Sequence, residues 1–403
     1  MVRFRPFNAY LPRLKEGDSI LDRVSPPFDA IEEPELTRLR NKPYNVTRIS
    51  LGGLNGNYEK ASKELADWIL KRILVKDEKE SYYLYRQSFT VGEKRCSRTG
   101  LIGLLGLEEY GEGRVIPHEE TNPKVKEDRL NLLRATSTHT ESIFGLIDDW
   151  GECAPDTIEK STQKLFELKD DTDTMHSISR VSDPDVTSDI ANTLMKRRLL
   201  IADGHHRYET ALEYSKETPE IESRRWVLAT LVSSNDPGVV VFPTHRLLKV
   251  PKMREDHAVE TMRSCFLVER IGDFDALEPS LRRTNGPSLG VIFRSGNVYK
   301  AELASYDRND PMWQIDSHVF QEVMLRKVLH SIARPGDLEI EYDHDSSSVS
   351  RKMESGAYDM SVFLRPPNLE TIWRLAVAGR RMPKKTTYFW PKIWSGFVFH
   401  RMT

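Results

Sequence analysis

The segment Leu199–Tyr214 combines residue types that bind phosphate with the backbone pattern that presents them. Its letters are LLIADGHHRYETALEY: the apolar run Leu199–Ala202 predicts a buried strand, and apolar residues at helical spacing follow it. The letters DGHHR therefore fall on a turn between a strand and a helix. Such a turn offers backbone N–H groups and the positive end of a helix dipole to an anion. Phosphate is the first ligand to expect.

Each residue of this turn has a role in that hypothesis. Asp203 would hold Mg²⁺ or take a proton, and Gly204 would let a ligand approach the backbone. His205, His206 and Arg207 would contact phosphate oxygens, and His206 is also a catalytic candidate. The alternative is a capped helix, in which Asp203 satisfies backbone N–H groups and the histidines are surface residues. Zinc is disfavoured, because adjacent side chains diverge and no cysteine lies near in sequence.

Three other polar motifs are candidates for the same chemistry. The letters HEET offer Glu119 or Glu120 as a general base, with a solvated charged loop as the alternative. The letters PTHR follow a predicted buried strand and offer His245 and Arg246 as nucleotide-binding groups, with a satisfied histidine at the edge of the core as the alternative. In SPPFD, two prolines would hold Asp29 still, or simply form a rigid turn.

The segment RRMPKKTTYFWPK near the C-terminus is both basic and aromatic. Binding to nucleic acid would need more basic surface than this chain carries, so a lid or a phosphate-binding edge is the preferred interpretation. The standard nucleotide signatures G-x-x-x-x-G-K-[ST] and G-x-G-x-x-G do not occur in the sequence.

Composition narrows the class of partner. The 403 residues include 59 Lys and Arg against 61 Asp and Glu, a net charge of −2, which gives no overall field for nucleic acid or an anionic membrane. The three cysteines are scattered and odd in number, which favours a reducing compartment over a disulfide framework. No signal peptide or apolar span is expected from the pattern. We therefore expect a cytoplasmic protein that binds small molecules, with no nucleic acid and no membrane partner.

The length predicts two domains, or one large domain with a substantial extension, with a boundary near residue 250 where the pattern changes. Periodicity predicts an amphipathic helix over 58–74, a strand over 81–90, a hairpin over 288–303 and a helix over 316–329. The letters YNVTRISLGGLNGN predict a strand that ends at a glycine turn, and DRLNLLRAT predicts a short helix. Strands and helices are thus mixed along the chain.

Several of these motifs together resemble one family. The letters SPPFDAI, HEET, DRLNLLRAT, ADGHHRYETAL, PTHR and AGRRMPKKTTYFWPKIWSG are similar to those of a widespread uncharacterised prokaryotic family, the domain of unknown function numbered 1015. The resemblance runs over nearly the whole chain and its motifs are long. It identifies ancestry rather than a reaction. The association of such genes with phosphorylated serine biosynthesis implies a serine or phosphoserine ligand.

A second resemblance supplies chemistry. The letters ADGHHR are similar to the phosphate-binding box of ParB/sulfiredoxin-like proteins, including their free serine kinases. This resemblance implies an α/β (α+β) fold with a ParB/sulfiredoxin-like core over 1–250 and a C-terminal α/β extension over 251–403. It also implies that Asp203–Arg207 binds nucleotide phosphates. The kinases add a carboxylate that takes the hydroxyl proton, for which Glu119 or Glu120 is the substitute here.

The resulting hypothesis is a phosphotransferase that acts on a free hydroxy amino acid, serine or phosphoserine, with ATP or ADP and Mg²⁺. The direction of transfer stays open, and a homodimer is compatible with it. Two alternatives remain. One is a nucleotide-binding regulatory switch that uses the same turn without transferring phosphate. The other is a phosphoserine phosphatase.

Overall fold

The computed structural model describes residues 1–52, 57–111, 113–121, 123–151, 153 and 155–402. The chain divides into two compact units. Unit 1 comprises Met1–Pro117, Thr121–Val240 and Pro391–Thr403, and unit 2 comprises His118–Glu120 and Val241–Trp390. The division at residue 250 stays a prediction. In the structure the last segment of the chain is part of unit 1.

The strands and helices follow one another along the whole chain. The strands are β1 (Phe4–Arg5), β2 (Tyr10–Pro12), β3 (Leu74–Lys76), β4 (Tyr82–Val91), β5 (Lys94–Gly106), β6 (Val115–Ile116), β7 (Thr138–His139), β8 (Ile143–Ile147), β9 (Thr162–Lys169), β10 (Met175–Val181), β11 (Leu199–Asp203), β12 (Trp226–Ser233), β13 (Val240–Phe242), β14 (His245–Lys249), β15 (Phe266–Ile271), β16 (Ser288–Phe293), β17 (Val298–Leu303), β18 (Glu339–Asp343), β19 (Met360–Phe363), β20 (Tyr388–Trp390) and β21 (His400–Arg401). The helices are α1 (Glu35–Arg40), α2 (Thr47–Ser50), α3 (Tyr58–Leu70), α4 (Pro123–Thr136), α5 (Pro155–Ile158), α6 (Pro184–Met195), α7 (His205–Glu217), α8 (Glu255–Arg263), α9 (Phe274–Arg283), α10 (Asp316–Val319), α11 (His330–Ile332), α12 (Ser346–Glu354) and α13 (Leu369–Val377), with a π-helical segment, Phe320–Leu329, between α10 and α11. In the described ranges no helix is long and apolar enough to cross a membrane.

Unit 1 is built on a mixed sheet, which has nine strands in the described part of the chain. Its order is β6-β11-β8-β12-β5-β4-β10-β9, with β1 paired to β5. Strand β8 pairs in parallel with β12 and antiparallel with β11. Buried apolar side chains such as Leu101, Leu199 and Leu231 form its core. The prediction of a mixed α/β fold is confirmed, whereas the ParB/sulfiredoxin-like core stays a prediction.

The predicted strand and helix around DGHHR are confirmed as β11 and α7, but the turn between them is shorter than predicted. Strand β11 extends through Asp203, and α7 begins at His205. Gly204 alone reverses the chain because it adopts a left-handed backbone with φ of 91°. Arg207 therefore lies in the first turn of the helix, one turn above Asp203.

Buried polar contacts hold the C-terminal segment against the sheet of unit 1. The guanidinium of Arg98, which is 1% exposed, donates to the side-chain oxygen of Gln87 and to the carbonyl of Pro391. Gln87 in turn donates from Nε2 to the carbonyl oxygen of Lys392 at 2.8 Å. Because buried polar groups need partners, these bonds fix the backbone of Lys392 relative to β4 and β5.

Unit 2 contains an antiparallel sheet in the order β15-β17-β16-β19-β14-β18. The predicted hairpin is confirmed as β16 and β17, and Gly296 supplies the left-handed conformation at its turn. The predicted helix over 316–329 is confirmed as a helical stretch, with the π-helical segment forming most of it. Buried side chains such as Leu248, Val291 and Phe320 form the core.

One local prediction was wrong, and another was confirmed with different bounds. Residues 47–50 of YNVTRIS form the short helix α2 rather than a strand. The side chain of Asn45 accepts hydrogen bonds from the backbone N–H and the hydroxyl of Thr47, at 3.0 and 2.7 Å, and so favours a helical start over an extended backbone. The predicted glycine turn at 53–56 lies outside the described residues. The helix predicted from DRLNLLRAT is longer than expected, because it starts at Pro123.

Two buried histidines make the stability of unit 1 depend on pH. The rings of His139 and His400 stack with centroids 5.9 Å apart, and the residues are 6% and 7% exposed. Burial lowers the pKa of His139 to about 3 and that of His400 to about 4. An exposed histidine titrates near ~6.5, so the folded state binds fewer protons than the unfolded state below that pH. Their contribution to stability is complete above about pH 6.5 and is lost as the pH falls.

We expect the free energy of unfolding to fall by about 1.4 kcal/mol per pH unit for each of these histidines between about pH 6 and pH 5. His400→Gln should remove one such share of the slope, whereas His257→Gln, at an exposed position, should leave it unchanged. Urea unfolding followed by circular dichroism across this pH range measures the slope. Equal slopes for the wild type and His400→Gln would contradict the assignment.

Candidate functional site

The carboxylate of Asp203 lies between two cations at the start of α7. Its Oδ2 accepts a hydrogen bond from Nη2 of Arg207 at 3.0 Å, and its Oδ1 is 3.4 Å from Nζ of Lys392. The three side chains are 21%, 10% and 11% exposed, in that order. Two positive charges face one negative charge in a partly buried place where screening by solvent is reduced. The cluster therefore brings two cations together at the start of α7.

Gly204 lets the guanidinium of Arg207 lie close to the backbone at this turn. Its φ of 91° disfavours any other residue, and a Cβ added there would lie 3.1 Å from the guanidinium carbon of Arg207. The N–H of Tyr208 donates to the carbonyl of Gly204 at 2.9 Å and begins the helical hydrogen-bond pattern. The N–H groups of α7 before Tyr208 therefore take no part in the hydrogen bonds within the helix. They lie at its N-terminus, where the helix dipole favours negative charge.

Three carboxylates keep Arg207 positively charged despite its burial. Burial alone would lower the pKa of Arg207, but the charges of Asp203, Glu141 and Asp29 outweigh it and raise the pKa above its usual value. Nη1 also donates to the carbonyl of Ser142. A side chain that is charged and held at both ends of its guanidinium group is suited to bind an oxyanion.

The two histidines of the turn differ in exposure. His205 is 5% exposed, whereas the next residue, His206, is half-buried. The structure thus brings together Asp203, Gly204 and Arg207 with both histidines on one strand–helix junction. The phosphate contacts and catalytic role assigned to His205 and His206 stay predictions.

Glu141 is a second carboxyl group near Arg207, and the sequence analysis did not single it out. Its Oε2 lies 3.9 Å from Nη1 of Arg207, and its Oε1 accepts the backbone N–H of Phe28 at 3.2 Å. Burial raises the pKa of Glu141, against the opposing charges of Arg207 and Arg129. Phe28 belongs to SPPFD, so that motif takes part in this environment. The sequence feature that could have pointed to Glu141 is the polar run HTES between α4 and β8.

Lys392 was predicted only as part of a segment. It belongs to the basic and aromatic stretch that was expected to form a lid or a phosphate-binding edge. Its neighbour in space, Asp203, is 189 positions away in sequence. Sequence spacing alone could not reveal this pairing, because it depends on the return of the C-terminal segment to unit 1.

Three other predicted motifs come together in unit 2. Oε1 of Glu119 accepts the backbone N–H of Thr386 at 2.6 Å, and Nη2 of Arg246 donates to the carbonyl of Lys385 at 3.1 Å. Thus HEET and PTHR both contact the KKTT letters of the C-terminal segment. Glu120 is exposed. The role of either glutamate as a general base stays a prediction.

His245 and Arg246 are both buried within unit 2. Nδ1 of His245 accepts the N–H of Leu364 at 3.2 Å, and Nε2 lies 3.1 Å from the hydroxyl of Ser346, so both ring nitrogens are engaged. Burial lowers the pKa of His245 to about 4 and that of Arg246 to about 10. Arg246 is 2% exposed and also contacts the aromatic ring of Tyr342. Their predicted contacts with a nucleotide stay predictions.

The part of the chain that the structure describes contains no group of three or more His, Cys, Asp or Glu side chains able to hold a metal ion. The carboxylate of Asp203 is paired with two cations. Because Mg²⁺ prefers several oxygen ligands, this donor set fits an anion better than a metal ion held by the protein alone.

Comparison with known proteins gives a family match and several distant structural likenesses. No curated protein matches the chain. One similar solved structure is a conserved hypothetical protein from Pyrococcus furiosus, with 16% identity over 70% of this chain and 89% of that chain and a TM-score of 0.38. Another is a free serine kinase in complex with AMP, with 15% identity over 68% of this chain and 83% of that chain and a TM-score of 0.37. A third is SbnI with a C-terminal truncation from Staphylococcus aureus, with 10% identity over 74% of this chain and 86% of that chain and a TM-score of 0.37. At such identities and TM-scores these likenesses carry no conclusion about activity.

The family match covers most of the chain. Residues 4–318 match the family described as Protein of unknown function (DUF1015), as the motifs from SPPFDAI to PTHR predicted. The match includes the whole of the DGHHR turn and the Glu141 segment. The chain therefore belongs to the family Protein of unknown function (DUF1015).

Proposed function

We propose that the chain is a phosphotransferase that moves a phosphoryl group between an adenine nucleotide, ATP or ADP, and a free hydroxy amino acid, serine or phosphoserine. One observation carries the proposal. Arg207 and Lys392 flank Asp203 at the N-terminus of α7, where Gly204 lets the guanidinium of Arg207 lie close to the backbone. Cations and helix N–H groups that converge on one partly buried point suit a phosphate group.

The chain's own residues supply binding and charge stabilisation in this proposal. Arg207 and Lys392 hold phosphate oxygens, and Asp203 orients both cations. A phosphoryl group in transfer carries negative charge that prearranged cations stabilise more than water does. The acceptor hydroxyl oxygen forms a bond to phosphorus while the bond from phosphorus to the nucleotide oxygen breaks. The hydroxyl proton passes to a carboxylate, for which we propose Glu119 or Glu120.

Mg²⁺ enters the proposal as the partner of the nucleotide phosphates. A single carboxylate that is paired with two cations does not fit a magnesium centre made by the protein alone, so no step is derived through the metal. The assignment of Asp203 as a Mg²⁺ ligand stays a prediction.

The first experiment measures transfer itself. With ATP or ADP and Mg²⁺, we expect the purified protein to interconvert serine and phosphoserine. ³¹P NMR measures this conversion. Asp203→Asn should lower kcat by about 100-fold or more, because the two cations lose the charge that orients them. Circular dichroism checks that the variant is folded.

Each other outcome of that experiment selects a different function. Transfer by Asp203→Asn at the wild-type rate would mean that Asp203 only caps the helix. Nucleotide binding without transfer to any hydroxy amino acid would favour the regulatory switch. Release of phosphate from phosphoserine without a nucleotide would favour the phosphatase.

Lys392 should contribute to nucleotide affinity through its charge. We expect Lys392→Met to weaken ADP binding by about 10-fold, a loss typical of one charge-assisted contact to phosphate. Lys63→Met is the matched control, because Lys63 is an exposed lysine of unit 1 that pairs only locally with Glu59. Isothermal titration at two salt concentrations measures both affinity and its charge dependence. Equal ADP affinity for both variants would exclude Lys392 from the phosphate site.

The two base candidates can be separated by substitution. Glu119→Gln and Glu120→Gln should differ, with the variant of the true base losing about 100-fold in kcat while its KM for nucleotide stays near the wild-type value. Glu119 also accepts the N–H of Thr386, so its variant needs a thermal unfolding control. Normal kcat in both variants would exclude both residues as the base.

A further inference from the structure

A small recess adjoins Arg207 in unit 1. It is bounded by α4, α7 and the segment Thr138–Glu141, and its volume is about 40 Å³. That is room for about three water-sized groups, on a scale of about 10–15 Å³ for each. An adenine nucleotide cannot enter such a space, whereas the polar groups of a small molecule can.

Two residues that line this recess each have a buried polar atom without a hydrogen-bond partner among the described residues. These atoms are the hydroxyl of Thr210, in a residue that is 0% exposed, and Nε2 of His139, in a residue that is 6% exposed. Burial keeps His139 neutral by lowering its pKa to about 3, so Nε2 can make one neutral hydrogen bond. Buried polar atoms normally have partners, and these two therefore point to an occupant with polar groups.

The charges around the recess are of both signs. Arg129, Glu141 and Arg207 line it. Arg129 is 6% exposed, donates to the carbonyl of Ser50 at 2.6 Å and from Nε to Oδ2 of Asp128 at 2.8 Å, and stacks on the ring of Phe28 with a separation of 4.4 Å. The occupant that matches both signs carries a cation and an anion of its own.

Glu141 is placed to meet the cationic group of such an occupant. One of its oxygens, Oε1, accepts the N–H of Phe28. The other, Oε2, is 3.9 Å from Arg207, beyond hydrogen-bond distance, and receives no hydrogen bond from the described residues. A carboxylate oxygen without a hydrogen bond, on a residue that is 7% exposed, gains from an ammonium group.

We propose that this recess is the acceptor subsite of the enzyme, and that it binds a small zwitterionic hydroxy amino acid through Glu141, Thr210 and the two arginines. This inference rests on the proposed function, because only a phosphotransferase has an acceptor. The binding of the amino acid at the recess does not require phosphate transfer. The ammonium group pairs with Glu141, the carboxylate with Arg129 or Arg207, and Thr210 and His139 complete the polar contacts. Arg207 then touches both the acceptor subsite and the phosphate cluster, which brings the two reactants together.

Binding of L-serine to the full chain tests this proposal without any turnover. Equilibrium dialysis with labelled serine gives a Kd for the wild type, Thr210→Val and Glu141→Gln. We expect each variant to weaken serine binding by about 10-fold or more, since each removes one polar partner and keeps the shape of the side chain. Thr210→Val should melt no lower than the wild type, because the lost hydroxyl has no protein partner.

A matched control and a ligand analogue sharpen the experiment. Ser361→Ala removes another buried hydroxyl without a partner among the described residues, in unit 2, and should leave serine affinity unchanged. Glycerate lacks the ammonium group, so it should bind the wild type more weakly than serine does, and Glu141→Gln should abolish that preference.

The outcomes separate this inference from the proposed function. Serine binding that depends on Thr210 and Glu141, in a protein that transfers no phosphate, would support the subsite and refute the reaction. No serine binding by the wild type would overturn the subsite. Serine binding that neither variant changes would also overturn it, and would leave the recess as a place for water only.

Discussion

The carboxylate of Asp203 and its two cations form the interaction on which the proposed chemistry depends. Arg207 reaches Asp203 from the next turn of the same chain segment, but Lys392 comes from 189 residues further along. Its position depends in turn on Arg98, whose buried guanidinium anchors Pro391 and Gln87. A buried arginine is costly to leave without partners, so the return of the C-terminal segment is fixed by the same bonds that satisfy Arg98.

The motifs divide into two groups, one in each unit. In unit 1, SPPFD, HTES and DGHHR meet, because the N–H of Phe28 binds Glu141 and Glu141 lies near Arg207. In unit 2, HEET and PTHR both contact the KKTT letters through Glu119 and Arg246. The first group contains partly exposed charge and buried polar atoms without partners among the described residues. In the second group both ring nitrogens of His245 are engaged, and the guanidinium of Arg246 donates within the unit. Buried polar atoms without a partner among the described residues occur in both groups, at Nε2 of His139 in the first and at Oγ1 of Thr244 and Nε of Arg246 in the second.

The sequence was sufficient to predict the elements that local pattern controls. Strand β11, helix α7, the hairpin β16–β17 and the mixed α/β class all follow from periodicity and turn residues. The prediction from sequence was wrong at α2, because hydrogen bonds to the side chain of Asn45 favour a helix there. It also missed the pairing of Lys392 with Asp203, because these residues are far apart in sequence. Glu141 was missed for a further reason. Its significance comes from burial beside Arg207, which no spacing of residues in one segment can show.

The most direct measurement is a crystal structure of the full chain with Mg²⁺ and a non-hydrolysable ATP analogue. We expect phosphate oxygens within about 2.7–3.2 Å of backbone N–H groups at the start of α7, and within similar reach of Arg207 and Lys392. We also expect the Asp203 carboxylate to keep its contact with at least one of these cations. Phosphates bound only elsewhere in the chain, with the Asp203 cluster unchanged, would contradict the proposed phosphate site.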